Sequence, residues 1–341
     1  MHVCRISPDD GPAFDAWYAI LQATDEERWG DPDGGLSRRE IHALVSRRGG
    51  GAAEYACLAA LDAAGTTVGI GLCEVPLRDN VHSASLDIRV ARVHRRRGVG
   101  SLILDEAARG LVATGRSVVS DLVEVPLAAA ATDPSVPFAR RNGFVATQTG
   151  RRRNLEVPVA PERLDALRTA ATRAAHGYVV RTFVAPWPTE YLDDQCALKR
   201  RMSTDEPSGD DRREEQVWDA ARIEESEALM AAQGMATLVA VAEHVGSGHL
   251  VAFSELALPQ DHPTEAWQLS TLVLREHRGH RLGLAVKLAN LDSLGILFPN
   301  VTLVVTGNAQ ENAPMIAINE MLGFEVVAVG TFWQKELGAP G

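Results

Sequence analysis

The order of strands, turns and helices in the first half of this chain recurs in the second, and that repetition constrains the fold more than any single motif. Strand-like runs rich in β-branched and aliphatic residues stand at Tyr55–Asp62, Thr67–Val75 and Ala84–Val93, each bounded by turn formers. From Gly98 the apolar period lengthens: Val99, Leu102, Ile103, Ala107 and Leu111 make the stripe of an amphipathic helix that ends near Gly115. A strand at Ser117–Val125, a short helix closing on Asn142-Gly143-Phe144 and a last strand complete the pattern. The second half repeats it, with strands at Met235–Glu243, Leu250–Leu258 and Trp267–Leu274, a helix bearing Leu282, Val286, Ala289 and Leu294, a strand at Val301–Thr306, and a short helix ending in Leu322-Gly323-Phe324. Sliding one half over the other pairs Arg95 with Arg278, Gly100 with Gly283 and, with two extra residues allowed, Glu74 with Glu255.

One unit used twice predicts two domains, residues 1–159 and 178–341, joined through 160–177 by a helix over Pro161–Ala175. A chain of 341 residues is long enough for that, since domains run to roughly 100–200 residues. A further strand is expected at Tyr178–Ala185. The polar, breaker-rich stretch Ser203–Glu215 reads as a mobile loop before a helix over Val217–Met230.

Each long helix is entered through a basic turn, Arg95-Arg96-Arg97-Gly98-Val99-Gly100 in the first half and Arg278-Gly279-His280-Arg281-Leu282-Gly283 in the second. A strand that becomes a helix there leaves the first-turn N–H groups unpaired and the positive helix end exposed, which suits a phosphate. Glycine would let the phosphate approach the backbone, and arginine would add charge-assisted bonds. Taken singly, such a turn reads equally well as a solvated helix start; its recurrence favours an anion cradle. It is not a GxxxxGK[ST] loop, and the strands before it form a meander, so a dinucleotide-binding βαβ unit does not fit.

The net charge of −11 argues against nucleic acid or an anionic membrane as partner and suits a cationic small molecule. Cys4, Cys57, Cys73 and Cys196 lack metal or disulfide spacing, and no stretch approaches the ~18 apolar residues of a membrane span. The expectation is a cytoplasmic protein without a bound metal.

Together, the meander, the Arg-x-x-Gly-x-Gly turn, the amphipathic helix and the Gly-Phe closure resemble the GCN5-related N-acetyltransferase (GNAT) superfamily, here as a tandem pair covering residues 2–157 and 178–338. In plan the chain is similar to mycothiol synthase-like two-domain acyltransferases. The resemblance implies an α/β fold, a mixed (α+β) sheet in each domain splayed near its middle and flanked by helices, with acetyl-CoA or another acyl-CoA wedged in the opening. It places the pantetheine arm on Ile88, Arg89 and Val90 and the pyrophosphate on Arg95, Arg96, Arg97, Gly98, Val99, Gly100 and Ser101. In the second copy the corresponding residues are Leu272 and Val273, then Arg278, Gly279, His280, Arg281, Leu282, Gly283 and Leu284, with Asn308 and Asn312 also against the cofactor. Arg281 stands where the first glycine belongs, which puts that site in doubt.

The implied reaction is direct attack of a small amine on the thioester in a ternary complex, and a base must take a proton from the amine. Glu74 and Glu255 are the matching candidates, with Asp87 behind them. The family's tyrosine near the leaving thiolate is replaced by Ala139 and Asn319, of which Asn319 still offers a hydrogen bond. On that ground the first half is read as the structural or regulatory copy. Cys73 as a nucleophile and His277 with His280 as metal ligands have blander readings, core packing and an exposed turn; Trp187, Trp218 and Trp267 are candidates to stack on a substrate, with core packing the commoner fate of tryptophan. Two alternatives stay open: a non-catalytic acyl-CoA-binding sensor or scaffold, and acyl transfer to a carrier protein or peptide. A monomer whose two domains pack as a pseudo-dimer is preferred.

Overall fold

The computed structural model describes residues 1–31, 35–47, 51–205, 209 and 214–338. The chain divides into two compact units, Met1–Thr149 with Val329–Gly341, and Gly150–Ala328.

In the first unit, β1 (His2–Ile6), β2 (Ala53–Leu61), β3 (Thr67–Pro76) and β4 (Ser83–Val90) form an antiparallel meander. Next to β4 lies β5 (Val118–Pro126), parallel to it, and then the end of β12 (Glu325–Glu336). Helices α1 (Gly11–Trp29) and α2 (Arg38–Val45) cover one face, where Phe14, Trp17 and Ile41 pack on Cys57, Ala59 and Ile70. Helix α3 (Val99–Ala113) covers the other, packing Leu104, Ala107 and Leu111 on Cys73, Ala84 and Leu86. Alternation along β3 thus sends Cys73 to the α3 side and Ile70 to the α1 side. Helix α4 (Ser135–Arg141) and the start of β6 (Val145–Glu156) complete the unit.

The feature that positions the site is a fork. β4 and β5 pair over only three residues, Ser83–Ser85 against Val118–Ser120, and then separate. The second unit repeats this. After β7 (Tyr178–Val184), β8 (Met235–His244), β9 (Leu250–Pro259) and β10 (Glu265–Val273) run antiparallel, and β10 meets the parallel β11 (Leu303–Ala309) over Glu265–Trp267 only. The rest of β6 pairs with the far edge of β11. Helix α5 (Pro161–Ala174), read from the sequence as a connector, buries Leu164 and Ala171 in this unit's core beside Leu284, Leu288 and Leu294 of α8 (Leu282–Leu297).

The strands and long helices follow the sequence reading to within a few residues. β4 stops at Val90, and a single 3-10 turn, Arg92–His94, replaces the expected end of the strand. Helix α6 (Leu192–Asp205) takes the first three residues assigned to the mobile loop; residues 206–208 and 210–213 of that loop lie outside the described residues. Helix α7 (Ala220–Ala232) begins after Asp219, whose carboxylate accepts from the Arg222 amide at 2.8 Å, so residues 217–219 are not helical. Helix α9 (Ala313–Leu322) closes on Gly323. No described helix is long and apolar enough to cross a membrane.

Candidate functional site

The turn before α3 gives up two residues to left-handed backbone, Arg96 (φ 62°) and Gly98 (φ 82°). In the second copy the same two positions are again left-handed, but occupied in the opposite order: Gly279 (φ 88°) and Arg281 (φ 54°). Each turn therefore spends one glycine and strains one arginine, and Arg281 preserves the backbone course that Gly98 gives the first copy. A left-handed arginine costs about 1–2 kcal/mol relative to glycine, so the shape is held by its surroundings. Those surroundings also repeat. Arg95 donates from Nε to the Val90 carbonyl at 3.0 Å and pairs with Glu27 on α1 at 2.7 Å. Arg278 donates from Nε to the Val273 carbonyl at 3.2 Å and pairs with Asp205 at the end of α6 at 2.9 Å. These arginines pin the turn to the preceding strand and to a helix. Among the described residues, the basic side chains of these turns without a hydrogen-bond or ion-pair partner are Arg96, Arg97 and Arg281, all exposed.

The glycines at the second position of each turn have a different reason from the one read in the sequence. A Cβ on Gly100 would lie 2.9 Å from the Phe138 ring, and one on Gly283 would lie 3.2 Å from Ile318 Cδ1. They are small because the short helix packs on them, whereas the space beside Gly98 is open. Val99, Leu282 and Leu284 are likewise buried core, so only their backbone amides could reach an anion. The amides of Val99, Gly100 and Ser101 open α3 and have no carbonyl a turn earlier to pair with.

From this turn a cavity of about 690 Å³ runs into the fork of the first unit. Its walls bring together Ile88, Arg89, Val90, Arg95, Arg96 and Gly98 to Ser101 of the sequence-derived set; Arg97 is not among them. Leu86, Phe138, Phe144 and Trp333 supply apolar wall, and Ala139 lies where an acid was sought. The polar end was largely unread: Thr24, Glu27 and Arg28 from α1, Asp87 and Arg89 from β4, Asp121 from β5, Asp133 ahead of α4 and Ser135 at its start.

At that end Arg89 Nε donates to both oxygens of Asp87, at 2.8 and 2.9 Å, and its Nη1 stands 3.1 Å from Asp25. The neighbouring carboxylates overcome burial and push the Arg89 pKa up. Arg28 donates to Ser135 Oγ at 2.9 Å and faces Asp133 at 3.9 Å. Burial and the nearby Arg89 lower its pKa. Asp121 follows the last paired residue of β5, Ser120, and so sits at the opening of the fork. Burial, with the Asp87 carboxylate beside it, holds Asp121 well above the ordinary carboxylate range.

The carboxylates singled out from the sequence are engaged elsewhere. Glu74 accepts from Tyr55 and Ser85 on the neighbouring strands, is raised by burial despite those bonds, and does not line the cavity. Glu255 is clamped by Lys199 Nζ through both oxygens, at 2.6 and 2.8 Å. In the second fork, Lys287 Nζ donates to Asn319 Oδ1 at 3.0 Å, and Asn319 Nδ2 donates to Asn308 Oδ1 at 2.6 Å. Burial pushes the Lys287 amine down to about 7. Asn312 caps α9, accepting from the Met315 amide at 3.4 Å, and Leu272 is buried core. His280 lies against Tyr178, whose hydroxyl is 2.9 Å from His277 Nδ1. Among the described residues no three His, Cys, Asp or Glu side chains are placed to hold a metal. Cys73 is packed under α3, and burial raises its thiol to about 11. Trp187 is buried, while Arg222 stacks on Trp218 and Arg152 on Trp267.

No protein-family model matches the sequence, and no curated protein does. Among solved structures, the chain is similar to a tandem GNAT protein from the clavulanic acid biosynthesis pathway, in its form without acetyl-CoA, at 25% identity and a TM-score of 0.77 over 100% of this chain and 99% of that one. It is similar to a GCN5-related N-acetyltransferase from Sphaerobacter thermophilus at 16% identity and TM-score 0.62, over 99% and 96% of the two chains. It is similar also to the N-myristoyltransferase of Saccharomyces cerevisiae at 13% identity and TM-score 0.58, over 98% and 79%. The chain has the fold of the tandem GNAT acetyltransferases.

Proposed function

We propose that the chain is an acyl-CoA-dependent N-acyltransferase that transfers acetyl from acetyl-CoA to a small amine, and that the first unit carries the cofactor. The observation behind this is the continuous cavity from the Arg95–Ser101 turn to the β4–β5 fork. Its chemistry fits the cofactor: unpaired helix-start amides and Arg96 at one end for a pyrophosphate, the β4 edge along Ile88–Val90 for an amide-bearing arm, and apolar walls from Phe138 and Trp333. When bound, acyl-CoA would supply an activated thioester; the protein's part is to anchor the phosphates, orient the acyl group in the fork and handle the proton of the amine.

The proposal puts the chemistry in the first unit, where the sequence reading leaned to the second. The tied-up Glu255 and the Lys287–Asn319–Asn308 chain favour a structural role for the second copy. Ala139 favours the second reading, a non-catalytic acyl-CoA sensor, because no side-chain acid stands at that position. Calorimetric titration with acetyl-CoA, with release of free CoA followed over a panel of amines, separates them. Arg96→Glu is expected to weaken acetyl-CoA by about tenfold or more by reversing charge beside the phosphates. Absence of acetyl-CoA binding in the unmodified protein refutes both readings; binding without turnover on any amine supports the sensor, and turnover only on a carrier protein or peptide supports a macromolecular acceptor.

A further inference from the structure

Beside the fork, three carboxyls that line the cavity, Asp87, Asp121 and Asp133, stand with two guanidiniums, Arg28 and Arg89, and Asp25 backs Arg89. Arg89 is shared between Asp87 and Asp25, and Arg28 faces Asp133 and Ser135. Among the described residues no cationic side chain comes within ion-pair distance of Asp121, which still lines the cavity. Of the carboxyls that line the cavity beside the fork, Asp87 and Asp133 each face a guanidinium and Asp121 does not. A carboxylate partly withdrawn from water is costly to ionise unless something positive completes it.

We infer that Asp121, backed by Asp87, receives the ammonium group of the acceptor and takes its proton before transfer. The inference rests on the acyltransferase reading of the same cavity and names the substrate class as a cationic primary amine. The ammonium nitrogen gives one proton to the Asp121 carboxylate. The neutral amine then forms the N–C bond to the acyl carbon as the C–S bond breaks; a second proton from nitrogen goes to the departing sulfur, and Asp121 returns its own to solvent. Asp87 is a positioning residue: fixed by Arg89, it raises the proton affinity of its neighbour. The other charged groups facing the pair are Asp25 and Arg28 from α1, Arg89 from β4 and Asp133 ahead of α4.

The test is titration of the full chain with 1,4-diaminobutane, with and without saturating CoA, in two buffers of different ionisation heat. At a pH where the infrared carbonyl band shows Asp121 protonated in the free chain, its ionisation against the incoming ammonium is expected to release a proton on binding, and the band disappears with it. Asp121→Asn is expected to remove both signals and to weaken the diamine by about tenfold or more, while acetyl-CoA affinity stays within twofold. Asp121→Glu is expected to restore proton release, which separates loss of the carboxyl from a folding defect. Failure of the unmodified protein to bind the diamine, or proton release that persists in Asp121→Asn, overturns the inference. Loss of acetyl-CoA binding in the unmodified protein would instead overturn the reading on which it rests.

Discussion

Lys287 offers a direct check on the energetics of the second unit. The chain has only three lysines, Lys199, Lys287 and Lys335. Lys287 is 2% exposed, with no carboxylate beside it among the described residues, one hydrogen bond to Asn319 and the Phe324 ring 5.7 Å away. Its amine is held near 7 in the folded chain against an ordinary value of 10.5. The folded pKa is depressed, so between those values the unfolded chain binds the proton and the folded one does not. Stability therefore rises with pH across this window, and the burial penalty is fully present below it. At about 1.4 kcal/mol per pH unit, tapering near the folded pKa, the folded state gains roughly 2 kcal/mol from this group between pH 7 and pH 9. The repeat places Leu104 at the matching position of α3, so Lys287→Leu is the natural replacement. It removes the pH-dependent penalty and leaves the Asn319 carbonyl short of a donor, which costs about 1–3 kcal/mol at every pH. Selective labelling of the lysine ε-carbons gives three NMR signals; one is expected to titrate near 7 and to vanish in the variant. In urea unfolding, the stability of the variant relative to the parent should fall by roughly 2 kcal/mol from pH 7 to pH 9. Three signals that all titrate near the ordinary lysine value, with a pH-independent stability difference, would refute the reasoning.

Two further predictions follow from the packing. Lys199→Ala leaves Glu255, whose side chain is 6% exposed, without its partner; a stability loss of about 3 kcal/mol is expected, largely relieved by adding Glu255→Gln, as a two-mutant cycle in urea will measure. Gly100→Ala drives a methyl group into Phe138 and is expected to cost about 1–3 kcal/mol by overpacking, read as a drop in thermal midpoint; an unchanged midpoint would mean that α4 shifts freely over α3.

Much of the fold was legible because its signals are periodic and occur twice. The strands β2 to β4 and β8 to β10 alternate or run apolar, α3 carries an unbroken stripe, and in α8 Lys287 and Asn290 interrupt a face otherwise dense in leucine and valine. Helices α1, α2 and α6 went unassigned because polar groups interrupt their buried faces: Thr24 and Asp25 in α1, Glu40 in α2, Gln195 in α6. Their burial is set by partners distant in sequence, such as Arg89 for Asp25, and no local pattern announces it. The same holds for the site. The Arg-x-x-Gly-x-Gly turn is contiguous and could be read directly. Asp121, inside Ser120-Asp121-Leu122-Val123, looks like any solvent-facing residue of a strand until β4 and β5 separate around it. Gly100 and Gly283 were read as clearance for a ligand, when the nearer constraint is a side chain some 35 residues on.

The division of the chain has a consequence for how the protein is made. The first unit includes β12 from Val329 onward, and Trp333 forms part of its cavity wall. A ribosome that has finished residues 1–149 has therefore released a sheet lacking one of its strands and a cavity lacking a wall. The N-terminal unit must wait, with an edge open, until the whole second unit and β12 have been translated. A stop codon anywhere ahead of residue 329 thus forfeits the first unit along with whatever it truncates, and the two repeats cannot be expressed as independent halves by cutting at the midpoint of the sequence.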